Sequence, residues 1–135
     1  MKSKLLLILF IFLLVASFGI AAVPNKAIDN KQMEKAVTNL LIGLKSDNAG
    51  LRSSSAYFLG EYNSREAVIP LMKILKSDAE EELRIQAALA LIKIGDARGI
   101  YAVKRAGKFD ESKRVREICS KFYNAYISKE LTSPL

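Results

Sequence analysis

The sequence predicts an all-α chain, about six helices stacked as antiparallel pairs into a short α-solenoid. Three observations carry that prediction. The second half of the chain repeats itself at a spacing of 32 residues without a gap: Leu51-Arg52, Leu83-Arg84 and Val115-Arg116 fall in register, as do Ala56 and Ala88, Leu59 and Leu91, and Asp78 and Asp110. A spacing of 31 extends the pattern backwards, laying Ala36-Val37 and Leu40 on Ala67-Val68 and Leu71, and Leu44–Asp47 on the identical Leu75–Asp78. Within each repeat the apolar residues recur every three or four positions, and no alternating run is long enough for a strand. A two-helix unit of this length cannot bury both apolar faces alone, so neighbours must stack.

The first 21 residues read as a secretory signal peptide. Lys2 and Lys4 precede the uninterrupted apolar run 5–15, and Gly19 and Ala21 suit a peptidase cutting before Ala22. The alternative is an uncleaved anchor, since residues 5–23 carry no charge and approach the roughly 20 residues that cross a bilayer. The expected location is therefore exported, periplasmic or secreted, or else membrane-anchored by residues 5–23. Residues 22–30 read as a linker.

Residues 31–46 form a half unit holding only the second helix of a pair. In the unit 47–77 the first helix places Leu51, Ser55, Phe58, Leu59 and Tyr62 on one face, and the second aligns Val68, Leu71, Met72 and Leu75. The unit 78–109 opens with a helix apolar on two faces, Leu83, Ala87, Ala90, Leu91 and Ile94 on one and Ile85, Ala88, Leu89 and Ile92 on the other, which is expected to lie between neighbours. Residues 110–128 read as a capping helix: Val115, Cys119, Phe122, Tyr123 and Tyr126 keep one apolar face, while Glu117, Ser120, Lys121 and Asn124 turn the other polar. Residues 129–135 are a tail. Asn63–Glu66 and Asp78–Glu81 have the spacing of a capping residue and a carboxylate three positions later, and Gly95-Asp96 ends one helix and caps the next.

The run from Gly50 to Asp78, with its Leu-Arg, its small pair, Leu59-Gly60, Ala67-Val68-Ile69-Pro70-Leu71 and the closing Leu75 and Asp78, resembles the short HEAT-like repeat of the kind found in phycobilisome lyases. The second unit departs from it at Ile92 and Ala102, where the first has Gly60 and Pro70. The resemblance covers about residues 33–127 and implies a structural ladder of the pairs Asp47 and Arg52, Asp78 and Arg84, and Asp110 and Arg116. In it the carboxylates cap the first helix of each unit and pair with Arg of their own or the adjacent unit. The repeat, the absent catalytic residues and the signal sequence together point to an exported, non-enzymatic protein-binding role, and the resemblance implies a chromophore lyase or maturation subunit as the alternative. Di-iron deoxyhypusine hydroxylases share this type of repeat but require His-Glu pairs, and this chain has no histidine.

The missing histidine removes the commonest general base, His-dependent triads and most metal sites, so no catalytic, metal-binding or cofactor-binding residue and no cofactor are expected. Cys119, the single cysteine, aligns with the small residues Ser55 and Ala87 and is expected to be a buried packing thiol. The run Glu80–Glu82 is expected to complement a helix N-terminus.

The net charge of +7 falls to +5 if Lys2 and Lys4 are removed, which favours an acidic partner. Residues 98–121 hold eight Lys or Arg against three acidic residues, while 78–96 hold two against five. The second helices should line the concave side, presenting Thr38, Ile42 and Lys45 in the half unit, and then Ile69, Lys73, Lys76, Tyr101, Lys104, Arg105 and Lys108. These last seven residues are the candidate site for an acidic protein partner, with apolar centres and a basic rim. Nucleic acid is not expected, the membrane enters only through an uncleaved N-terminal segment, and the chain is expected to be a monomer.

Overall fold

The structure is a computed structural model and describes residues 29–132; the signal-peptide or anchor segment and most of the linker lie outside the described residues. Among the described residues six α-helices follow one another with no strand: α1 (Asn30–Gly43), α2 (Ala49–Glu61), α3 (Val68–Ser77), α4 (Glu81–Ile94), α5 (Ala97–Phe109) and α6 (Lys113–Thr132). A single 3-10 turn, Arg65–Ala67, leads into α3. The helices alternate between two layers, α2, α4 and α6 in one and α1, α3 and α5 in the other. α4 sits at the centre, packed on α2, α3, α5 and α6. No helix of the described residues is long and apolar enough to cross a membrane.

The two-faced pattern of α4 has the expected consequence. Leu83, Ala87, Ala90 and Leu91 are buried against one side and Ala88 against the other, with Ile85 and Ile92 half-buried beside it. Small residues set the spacing between helices, both within a layer and between the two layers. A Cβ on Gly60 would come within 2.9 Å of the Ala90 Cα, so α2 and α4 touch backbone to backbone there. A Cβ on Gly99 would meet the Leu91 side chain at 2.9 Å, so the α5 backbone rests directly on that leucine of α4. In α6, Val115 and Cys119 are buried and Glu117, Lys121 and Asn124 are exposed, but Ser120, expected on the outward polar face, is half-buried against α5 with its hydroxyl donating to the Gly107 carbonyl at 3.1 Å.

The apolar face expected on α2 is covered only in part. Ser55 and Leu59 are buried, but Leu51, Phe58 and Tyr62 remain 50%, 43% and 37% exposed. The cause is positional, since α2 begins its layer and no first-layer helix lies beyond it among the described residues. The C-terminal end of α1 covers Ser55, where Gly43 makes room for the hydroxyl.

Two expected helix starts are built differently. Asn63 takes a left-handed conformation (φ 50°), which Asn tolerates well, and the 3-10 turn behind Ser64 has no side-chain cap. Asp78 accepts from the Glu80 amide at 3.0 Å and thereby closes a turn before α4 instead of capping its third residue. Asn48, in contrast, caps α2 by accepting from the Leu51 amide at 3.0 Å.

Gly95 (φ 70°) does end α4 in the left-handed conformation, and Asp96 caps α5 by accepting from the Arg98 amide at 3.0 Å. The Arg98 side chain also grips this carboxylate, and these two Arg98 bonds, side chain first, hold it down from 3.8 to about 2. A carboxylate depressed on folding stabilises above its unfolded value and loses that contribution as pH falls through its folded value. Asp96→Asn is therefore expected to flatten the acid-side fall of stability between about pH 4 and pH 2, seen in urea midpoints measured across that range.

The Asp–Arg pairing of the ladder is present, with a definite register, but its carboxylates do not cap the helices as expected: Asn48 and not Asp47 caps α2, and Asp110, like Asp78, accepts from the amide two residues on, that of Ser112 at 2.9 Å. Arg84 is buried and donates from Nε and Nη2 to the two carboxylate oxygens of Asp110, at 3.1 and 3.0 Å. Its Nη1 donates to the Asp78 carbonyl oxygen at 2.7 Å. Arg52 takes the same posture, with Nη1 on the Ser46 and Asp47 carbonyls at 2.9 and 3.2 Å, Nε 3.5 Å from the Asp78 carboxylate and Nη2 3.4 Å from Glu80. Arg116 repeats the backbone half, donating from Nη1 to the Asp110 and Glu111 carbonyls at 2.6 and 2.9 Å. Each Arg thus holds the backbone of the loop before its own helix, and Arg52 and Arg84 also hold the carboxylate of the next unit. Asp47, first in the series, meets no Arg through its carboxylate among the described residues. Burial works against the Arg84 charge, yet the hydrogen bonds and charge of Asp110 outweigh it and leave the guanidinium above its ordinary value.

Candidate functional site

The second-layer helices α3 and α5 lie side by side, and their sequences, VIPLMKILKS and ARGIYAVKRAGKF, contain six Lys or Arg and no Asp or Glu. Their buried edges are apolar, with Val68, Leu71 and Leu75 on α3 and Ile100 and Val103 on α5. A helix that buries such a stripe sends its remaining residues outward, and here those residues are cationic.

Between the two helices runs an open groove of about 290 Å³. Its floor is apolar, made by Met72, Leu75, Ala102 and Ala106, and its walls are Lys76, Tyr101, Arg105 and Phe109, with Asp110 at one end. Tyr101 and Phe109 are 65% and 75% exposed, so two aromatic rings stand in water along one helix.

Of the seven expected site residues, Lys76, Tyr101 and Arg105 are brought together in the groove. Ile69 and Lys73 are exposed on α3 away from the groove lining, and Lys108 lies beyond its rim. Lys104 is turned towards the other layer, its ammonium 5.3 Å from the centre of the Tyr123 ring on α6. Periodicity overlooked Phe109, although a signal existed: it stands eight residues after Tyr101 and four after Arg105, where the preceding unit has Ser77.

The two layers treat most of their cations differently, the exception being Arg98 at the start of α5, which pairs with Asp96. In the first layer Arg52, Arg84, Lys93 and Arg114 all reach carboxylates, Lys93 pairing with Glu61 and Arg114 with Glu82 across neighbouring helices. The hydrogen bond and charge of Lys93 hold the Glu61 carboxyl below its ordinary range. On α3 and α5, Lys73, Lys76, Lys104, Arg105 and Lys108 meet no carboxylate among the described residues.

The Glu80–Glu82 run is accounted for by neighbours and by the helix end. Glu80 pairs with Arg52, Glu82 with Arg114, and Glu81 and Glu82 occupy the first turn of α4. Among the described residues no group of His, Cys, Asp and Glu could hold a metal ion. Burial first, and then the Asp110 charge, raise the Cys119 thiol to about 11, so it is protonated at neutral pH. Ellman's reagent is expected to modify it only as fast as the domain opens, with mild urea accelerating the reaction in step with unfolding.

Alternating antiparallel helices in two layers, a fixed spacing near 32 residues and an Arg-to-Asp ladder define a stacked helical repeat protein. The HEAT repeats family model matches residues 30–120, and the chain belongs to that family. No curated protein matches the chain. HEAT repeats in general mediate protein–protein interaction.

Proposed function

We propose that this protein is an exported, non-enzymatic interaction module, an adaptor, scaffold or assembly factor, that binds an acidic partner along α3 and α5. The single observation behind this reading is the groove: exposed Tyr101 and Phe109 flanked by Lys76 and Arg105, two cations that meet no carboxylate among the described residues. Aromatic anchors inside a basic rim are the composition of a protein-binding patch, and an uncompensated positive surface raises the encounter rate with a negative one. Export rests on the charged start and apolar run at residues 2–15.

The test is a crosslinking capture of the tagged protein from its native envelope, run beside the variant Lys76→Glu, Tyr101→Ala, Arg105→Glu. A stoichiometric partner that is acidic, that weakens with added salt and that is absent from the folded variant supports the reading. A partner that persists with the variant overturns the groove as its site. Intact mass addresses export directly, since loss of about the first 21 residues identifies a cleaved signal peptide and a full-length chain points to the membrane-tethered alternative. A lyase-type role would require a bound chromophore, and the same preparation would reveal one by its visible absorption.

A further inference from the structure

We infer that the last Arg of the ladder, Arg116, is a binding site for a carboxylate supplied by the protein partner, so that the ladder is completed in trans at the α6 end of the stack. This rests on the acidic-partner reading and extends it to a second contact point. The chain carries three copies of one motif. Arg52, Arg84 and Arg116 each point Nη1 at the backbone carbonyls of the preceding loop, so all three side chains are held in the same pose. In that pose the Nε and Nη2 edge of Arg84 receives both oxygens of Asp110, and the same edge of Arg52 faces Asp78 and Glu80. On Arg116 this edge meets no carboxylate among the described residues, although the two hydrogen bonds that aim it, at 2.6 and 2.9 Å, are as short as those of its counterparts.

A planar guanidinium already held from one side loses little freedom when a carboxylate docks on its free edge, and the two-point geometry selects carboxylate over a single oxygen acceptor. The surroundings favour a protein segment. Phe109 is 75% exposed, directly precedes the residue whose carbonyl Arg116 holds, and lines the groove with Asp110. An acidic segment laid on Arg116 would have this exposed ring, one residue from the carbonyl that Arg116 holds, as an apolar contact nearby. A second copy of this chain is the poorer occupant, even though its Asp47 carboxylate is open. Stacked in that register it would lay Leu51, Phe58 and Tyr62 on Glu117, Lys121 and Asn124, burying charge against apolar side chains.

The probe is an acetylated, amidated hexaglutamate peptide, and the readout is the set of arginine Nε–H resonances in a ¹H–¹⁵N spectrum of the full chain. The expected result is a saturable shift of Arg116 with Arg84 unmoved, an affinity at least five-fold weaker in Arg116→Lys, and an Arg116 shift that survives in Lys76→Glu, Arg105→Glu. That last variant separates the two readings, because it removes the groove's charge and leaves the ladder intact. An Arg116 resonance that does not move in the wild type, or an affinity unchanged in a folded Arg116→Lys, overturns the inference. So does concentration-dependent self-association abolished by Asp47→Lys, which would make a second copy the occupant.

Discussion

Asp110→Ala is expected to destabilise the domain by about 3–5 kcal/mol, because it strands the buried guanidinium of Arg84 without its counter-charge. The side chains of Arg84 and Asp110 are 3% and 7% exposed, and the carboxylate also accepts from the Ser112 amide at 2.9 Å. A loss of that size is a large part of the 5–15 kcal/mol that holds an ordinary domain together. The same substitution one rung back is gentler. Asp78 and Arg52 are 14% and 17% exposed and sit 3.5 Å apart, so Asp78→Ala is expected to cost about 1–2 kcal/mol. At Asp47, whose carboxylate meets no Arg, the cost should stay within about 0.5 kcal/mol. Urea or thermal unfolding of the three variants measures this gradient, and equal losses at all three positions would show that the register of the ladder does not set its strength.

The second large effect is expected at Leu91. Leu91→Ala should cost about 3–4 kcal/mol, within the range for truncating a fully buried Leu where the surroundings cannot collapse. Leu91 is completely buried in α4, and its side chain fills the space that Gly99 leaves open on α5. Backbone contact at Gly60 and Ala90 keeps α2 and α4 from moving inward to close the cavity. The double variant Leu91→Ala, Gly99→Ala is expected to recover part of the loss, since the added methyl occupies the vacated space. If the double variant is less stable than Leu91→Ala alone, α5 is held away from α4 by something other than this contact. Differential scanning calorimetry of the pair decides it.

Repeat spacing and apolar periodicity were sufficient to read the helices, their pairing and the polar outward face of α6, because each depends on residues only three, four or about 32 positions apart. The ladder residues were equally legible as Asp and Arg at a fixed phase. Their partners were not: which Asp meets which Arg depends on how far one unit is rotated on the next, and that is settled by close contacts such as Gly60 on Ala90.

The candidate site divides in the same way. Sequence by itself determined that Lys and Arg recur on the outward positions of the second helices, since that is a matter of composition at a known phase. Tertiary packing decided which of those residues share a groove. It turned Lys104 onto Tyr123, left Ile69 and Lys73 outside, and brought Met72 and Phe109 in beside Tyr101 and Arg105. Packing also decided that Leu51, Phe58 and Tyr62 stay half exposed, because a helical face is buried only where a neighbour exists to cover it, and periodicity marks the face without supplying the neighbour.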